Sequence, residues 1–302
     1  MNIVVTNLIY LNMKVINASV QEIKQAPGII GIYHHIEKCG RTCYKSEDKI
    51  TEDSAMKFFK GLVNRKHYAM LEHGTVYFRF PFQANEEAQD AISKIMNSKY
   101  SFTKVGEDGN FYVTTNMRVL MEEVPNWVDS LLYDYALEEP DDNHIRKYTA
   151  KFIISRGIAN EFVRHRVFSF AQESTRYCNY SKDKFEGELT FIRPEWIDPN
   201  ELVKYGKFHT VCRNKFNATS VWVAMMNNAE QDYRDLIILG LKPQEARGVL
   251  PLDLKTELVV TGTFDQWEDF FDLRMREITG PAHPDAKAIA TEWYNTIRLE
   301  EV

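Results

Sequence analysis

The sequence predicts an α+β fold made of one domain over residues 1–302. Three observations lead there. Stretches such as residues 75–82 (TVYFRFPF) alternate apolar and polar side chains with the two-residue period of a half-buried strand. Longer stretches, above all residues 201–239, repeat with the helical period instead. The two kinds are interleaved without the regular strand–helix–strand rhythm of a parallel sheet. Neither a GxGxxG nor a GxxxxGK[ST] loop is present, so no dinucleotide or P-loop fingerprint supports such a sheet.

Taken in order, residues 9–19 alternate as a strand, and Ala26-Pro27-Gly28 breaks the chain. Residues 29–39 (IIGIYHHIEKC) form a helix with an apolar face, followed by GRTCYKSED as a polar loop. Thr51 is placed to cap a helix over 52–64. After the strand at 75–82, NEEAQDAISKIMNSK is a short amphipathic helix, and Asp108-Gly109 marks a hairpin turn between strand-like runs. Residues 137–144 (LEEPDDNH) are loop, 147–154 a strand, and Arg156 to Phe168 a helix. The long helical pattern at 201–239 ends near Gly240, Pro243 opens a short helix that Pro251 ends, LKTELVVTGT is a strand, and the C-terminal part is helical with a break at TGPAHP.

Composition narrows the function classes. The chain has 302 residues, 44% hydrophobic and 26% charged, with a net charge of −6, which argues against a dedicated nucleic-acid binder. The four cysteines (Cys39, Cys43, Cys178, Cys212) form no CxxC pair and have no histidine at zinc spacing, so free thiols in a reducing, cytoplasmic compartment and no metal site are expected. No apolar run reaches the ~18 residues of a membrane span, and the first residues read as strand rather than signal peptide.

The chemistry concentrates in residues 164–177, RHRVFSFAQESTRY. Arg164, His165 and Arg166 end a mostly apolar helix, and successive helical side chains are ~100° apart. At least one of the three must therefore point to a partly buried place, and a buried arginine needs an anion. In the polar stretch that follows, an extended backbone puts Gln172, Ser174 and Arg176 on one side, offering an amide, a hydroxyl and a guanidinium. The same residues also suit a plain helix C-terminus with basic side chains answering its dipole.

Arg164-His165-Arg166, then Ser174, Arg176 and Tyr177 at fixed spacing, resembles the signature of flavin-dependent thymidylate synthases. Three further segments resemble that family. EARGVLPLDL holds Arg247, DQWEDFFDLR ends in Arg274, and HYAMLEHGTVYF holds His67, Glu72 and His73. GRTCYKS resembles an early arginine-containing segment more weakly. The resemblance spans most of residues 28–300 and implies the family's fold, a mixed sheet with packed long helices, with an inserted helix and hairpin region at about 84–146.

It also implies reductive methylation of dUMP to dTMP, with FAD as cofactor, NADPH as reductant, methylenetetrahydrofolate as carbon donor, and a homotetramer. Arg274 takes the place of the arginine that polarises the uracil. Residues Glu161, Arg164, Gln172, Glu173, Ser174, Thr175, Arg176 and Arg247 are the implied dUMP contacts with it. His67, Ala69, Arg164, His165, Arg166, Gln172, Thr263, Phe264, Asp265, Asp269 and His283 are the implied FAD contacts. Where the family often has Gln, Thr and Asn, this chain has Glu161, Ala69 and Asp269, and Ala171-Gln172 stands where it has Asn-Glu. No cysteine follows a proline or precedes a histidine, as a synthase using a thiolate nucleophile would require.

Two other readings use the same residues. Arg164, Arg166 and Arg176 with Phe168, Phe170, Tyr177 and Tyr180 would make a single-strand nucleic-acid platform. A catalytically retired scaffold would show its decay at Glu161, Ala171 and Asp269. Read singly, Arg247 could pair with Glu245, and Arg274 with the carboxylates of its own helix. His34 and His35 receive no role.

Overall fold

The computed structural model describes residues 14–84, 86–180, 188–206 and 217–298. Its strands are β1 (Lys14–Ile16), β2 (Ser19–Glu22), β3 (Thr75–Phe80), β4 (Phe102–Val105), β5 (Phe111–Asn116), β6 (Ala136–Leu137), β7 (Lys147–Ser155), β8 (Ser169–Gln172), β9 (Thr190–Ile192) and β10 (Lys255–Thr263). Its helices are α1 (Gly28–Thr42), α2 (Ser54–Asn64), α3 (Glu86–Asn97), α4 (Met117–Glu123), α5 (Val128–Tyr135), α6 (Arg156–Phe162), α7 (Pro199–Gly206), α8 (Ala218–Ile238), α9 (Pro243–Ala246), α10 (Phe264–Arg274) and α11 (Pro284–Arg298). The chain divides into two compact units. The smaller runs up to Ser19 and includes Ile153–Glu161 and Ser174–Thr256; the larger holds Val20–Phe152, Phe162–Glu173 and Glu257 onward.

In the larger unit one sheet has the order β2-β7-β10-β8, with β8 antiparallel to β10 so that Ala171 lies opposite Val259 and Gln172 opposite Leu258. A second, antiparallel sheet has the order β4-β5-β3-β6. The β4–β5 hairpin turns where expected, with Gly109 at φ +78° and Asp108 accepting from the Asn110 amide at 3.0 Å. The alternation read in residues 75–82 is that of β3, whose Phe78 and Phe80 are fully buried among α1–α5. Such a side chain contributes about 2 kcal/mol by leaving water.

In the smaller unit β1 pairs parallel with β9, and Phe191, Trp222, Tyr233 and Leu254 form the core beneath α8. Asn217 caps α8 by a reciprocal capping box with Ser220.

Several sequence expectations shift. The first helix continues through Thr42, three residues into the segment read as loop, because Cys39 and Gly40 on its inner face are buried. Thr51 does not cap the second helix: Asp53 holds the N-cap position, and Ser54 Oγ instead bonds the Thr51 carbonyl at 3.0 Å. The strand read at 9–19 is described only from residue 14 and is two short strands, Lys14–Ile16 and Ser19–Glu22. The helical pattern at 201–239 is α7 and α8, with 207–216 outside the described residues. Cys212 is among those; Cys39, Cys43 and Cys178 are free thiols. Among the described residues no helix is long and apolar enough to cross a membrane, and no His/Cys/Asp/Glu group could hold a metal ion.

Candidate active site

In the larger unit, the helix expected to run to Phe168 ends at Phe162. A turn follows, closed by His165 N–H to the Phe162 carbonyl (3.0 Å) and Phe168 N–H to the His165 carbonyl (3.2 Å), and β8 begins at Ser169. The turn changes which side chain goes inward. Arg164 and Arg166 are exposed and His165 is the half-buried one, so the buried group expected among the three is the histidine, not an arginine.

His165 lies against Phe270, with ring centroids 5.0 Å apart, and near Phe168 at 6.3 Å. Burial and, secondarily, the Arg274 guanidinium push its pKa down to about 4. The ring is therefore neutral at ordinary pH, and its Nε2 accepts a hydrogen bond from Arg274 Nε at 3.0 Å. That contact assigns the proton to Nδ1. Near Arg274 in sequence, Asp272 and Glu268 hold Arg276, at 2.5 and 2.9 Å, and Glu277 holds Lys287.

The nest that supports this pair is aromatic. Phe168 packs on Trp267 at 4.5 Å, and Phe162 meets Phe270 edge-on at 4.9 Å. Gly262 on β10 makes room for it, because a Cβ there would stand 2.3 Å from the Phe168 ring. Thr263 then caps α10, accepting from the Gln266 amide at 3.3 Å, so its buried hydroxyl is engaged in the fold. Asp265 and Asp269 are exposed one turn apart on that helix. Phe264 and Asp265 line a cleft of about 530 Å³ with Asp142, His144, Arg146 and Tyr148. His67 and Ala69 are exposed at the 3₁₀ turn Tyr68–His73. His283 is exposed, and its Nδ1 accepts from the Asp285 amide at the start of α11 (3.2 Å).

Gln172 is half-buried at the end of β8, and Glu173 is 1% exposed, with its amide on the Glu257 carbonyl at 2.9 Å. The Glu173 carboxylate is inside rather than at the surface, and near enough for its charge to contribute to raising the Lys45 pKa.

In the smaller unit the extended conformation expected to reach Arg176 gives way to a turn. Tyr177 and Cys178 both donate to the Ser174 carbonyl (3.3 and 3.0 Å), and Ser174 Oγ accepts from the Arg176 amide at 3.3 Å. The alternation survives in burial: Ala171, Glu173 and Thr175 are inside, Gln172 and Ser174 half-buried, and Arg176 out. Arg247 is exposed at the end of α9 and donates to Thr175 Oγ1 at 3.4 Å. It does not pair with Glu245, whose carboxylate accepts from the Lys242 amide in the helix cap (2.8 Å). Glu161 is half-buried in α6.

Arg41, Arg79, Arg118, Arg234 and Arg276 each hold a carboxylate. Arg164, Arg166, Arg176 and Arg247 are exposed and hold none among the described residues, and the same holds for Arg65, Arg146 and Arg298 outside the motif segments. Guanidinium groups left without a carboxylate are suited to an anionic ligand. Of the aromatics in the nucleic-acid platform, Phe168 and Tyr180 are 7% and 5% exposed and present no open face for a base, Phe170 is half-buried, and Tyr177 alone of the four is open, at 60%. Sequence reasoning missed one polar cluster altogether: buried His35, Thr149, Thr261 and His73 are joined in series at 3.2, 2.7 and 2.8 Å.

The family model described as thymidylate synthase complementing protein matches residues 143–300. A flavin-dependent thymidylate synthase of Haloarcula marismortui is 27% identical over 187 residues, 59% of this chain and 74% of that protein. The enzyme of the same name from Corynebacterium efficiens is 33% identical over 124 residues, 41% of this chain and 47% of that protein, and the one from Pyrococcus furiosus is 30% identical over 123 residues, 41% and 43%. The match thus spans less than half the length of these last two relatives. Among solved structures, a UMP/dUMP methylase from Streptomyces cacaoi bound with 5-Br dUMP aligns over 94% of this chain and 91% of its own with 15% identity and a TM-score of 0.42. Thymidylate Synthase X from Helicobacter pylori with FAD and dUMP aligns over 92% of each chain with 15% identity and a TM-score of 0.37. The family match covers just over half of the chain, from Asn143 through Arg164-His165-Arg166, Arg247 and Arg274, and the chain belongs to the flavin-dependent thymidylate synthase family.

Proposed function

We propose that this chain, acting as one catalytic domain, converts dUMP to dTMP, with NADPH-reduced FAD as hydride source and methylenetetrahydrofolate as carbon donor. One observation carries the reading. Arg274, from the C-terminal helix, is hydrogen-bonded to His165 of the Arg-His-Arg motif, so two segments matched to the family far apart in sequence meet in one contact.

Methylating C5 of uracil requires electron density there, and the negative charge that develops on the ring needs a preorganised donor. Arg274 supplies it. The neutral His165 orients the guanidinium through its imidazole lone pair. Arg176 and Arg247 bind the dUMP phosphate, for which a planar guanidinium offers two parallel donors. Ser174 positions the nucleotide and is not a nucleophile. Glu161, Arg164, Gln172, Glu173 and Thr175 complete the proposed dUMP contacts, Thr175 also accepting from Arg247.

The donor set fits FAD. Exposed Arg164 and Arg166 suit its pyrophosphate. Asp265 and Asp269 are poor neighbours for phosphate but good acceptors for ribose hydroxyls, as acidic side chains are in dinucleotide sites generally. Phe264, His67, Ala69, Gln172, Thr263 and His283 complete the proposed contacts. When bound, FAD supplies the hydride, and the chain supplies binding, orientation and electrostatics.

Assembly as a homotetramer is part of the proposal. Val221 and Met225 are 46% and 58% exposed on one face of α8, and Ile238 and Leu239 are 80% and 76% exposed at its end. Apolar surface of this kind marks contact sites.

The test is an absorbance spectrum of the purified protein followed by tritium release from C5-labelled dUMP with methylenetetrahydrofolate and NADPH. Flavin bands and release that collapses in Arg274→Ala are expected. Flavin without release would point to the retired scaffold; neither signal, with FAD added, would sink the reading.

A further inference from the structure

The end of α1 holds a residue in the wrong conformation for its type. Lys45 has φ +47°. It closes the helix by a double turn in which its own amide bonds the Thr42 carbonyl (3.3 Å) and the Ser46 amide bonds the Arg41 carbonyl (3.2 Å). That pattern places Lys45 at the left-handed position after a helix, which glycine fills at no steric cost. A lysine there is strained, and an observed outlier of this kind points toward function.

The strain aims the lysine at a specific cluster. Its Nζ meets Glu257 Oε1 at 2.5 Å, while Lys151 Nζ meets Glu257 Oε2 at 2.6 Å, and both approach Glu47 Oε1 at 3.5 and 3.6 Å. Glu257 is 5% exposed. Burial alone would lower the Lys45 pKa; Glu257, then Glu47 and Glu173, more than offset this and raise it. Lys45 is thus a fixed cation among three carboxylates, one of them Glu173.

Two ties join this cluster to the end of β8. The Glu257 carbonyl accepts the Glu173 amide at 2.9 Å. Two residues before Lys45, the Cys43 sulfur faces the Gln172 amide. We propose that Lys45 is a positioning residue: clamped with Lys151 on Glu257, its ammonium holds Glu173 inside and so sets the backbone of Gln172 and Glu173, which leads directly into the dUMP-binding Ser174. This rests on the dUMP site proposed above.

The experiment uses the full FAD-loaded chain as wild type, Lys45→Gly, Lys45→Met and Lys45→Arg. Thermal midpoint, flavin absorbance, dUMP affinity by titration calorimetry, and the KM and kcat for dUMP and the folate are read for each. Loss of a hydrogen-bonded charge predicts about tenfold weaker dUMP binding and a correspondingly raised dUMP KM in the Gly and Met variants. The folate KM and flavin content stay at wild-type values, and Lys45→Arg recovers most of the loss. Lys45→Gly separates positioning from folding, because glycine suits the turn and offsets part of the lost ion pair: its thermal midpoint should fall less than that of Lys45→Met while dUMP affinity falls as far. Unchanged dUMP affinity in Lys45→Gly, or an equal loss for dUMP and the folate, overturns the proposal. If wild type itself neither binds nor turns over dUMP, the functional reading has failed and takes this one with it.

Discussion

The candidate residues of the two units are held in opposite ways. In the larger unit, His165 and Arg274 meet through a side-chain hydrogen bond inside an aromatic nest of Phe168, Trp267 and Phe270. In the smaller unit, Ser174, Arg176 and Arg247 sit on turns, two of them exposed, and are held chiefly by backbone hydrogen bonds and by Thr175. The first arrangement resists reorientation and suits a group that must already point at a developing charge. The second suits capture of a solvated phosphate by flexible cations. On the function proposed above, the first arrangement would serve the chemistry and the second the binding of phosphate.

That division can be broken experimentally. The largest effect is expected from Arg274→Ala, which should lower kcat about 10²–10³-fold with a much smaller change in dUMP KM. A loss mainly in KM would erase the distinction between the units.

Acid should loosen the larger unit next. Burial lowers the pKa of His35 and His165 to about 4 and of His73 to about 3. The unfolded chain, with histidines near 6.5, binds more protons in that window, so stability is full above pH 6.5 and falls as pH drops toward 4 and then 3. For fully buried His35 the loss is about 3 kcal/mol by pH 4. Denaturant titrations from pH 7 to 4 should show it, and His35→Gln should flatten the slope. An unchanged slope would remove His35 as its source.

Gly262→Ala should cost about 1–3 kcal/mol, because the new methyl overlaps the Phe168 ring and must displace the nest under His165. The thermal midpoint checks the cost, and kcat should fall with it if the nest orients Arg274. The smallest effects belong to the other unit. Arg247→Ala should raise dUMP KM by about tenfold with kcat nearly kept, and Thr175→Val, which removes one long hydrogen bond, should weaken binding by only about 0.5–1 kcal/mol.

Much of this was legible before any coordinates, because it depends on short-range pattern. The strand at 75–80, the hairpin at Asp108-Gly109, the C-terminal helices and the motif itself are written in period, turn residues and spacing. Helix ends were less legible. At Phe162 and Thr42 the boundary is set by what the next residues pack against: Phe168 must enter the nest, and Cys39 and Gly40 must stay inside. The same limit hid the role of His35, which two threonines from distant strands join to His73.

By itself, then, the sequence determined the α+β class and the family, since residue type and spacing are properties of the chain. Only the tertiary structure decided which of Arg164, His165 and Arg166 turns inward, that Arg274 meets the His165 imidazole, and that Glu173 is buried. Those outcomes depend on burial and on partners far away in the chain, and a side chain's protonation and direction are set by what surrounds it.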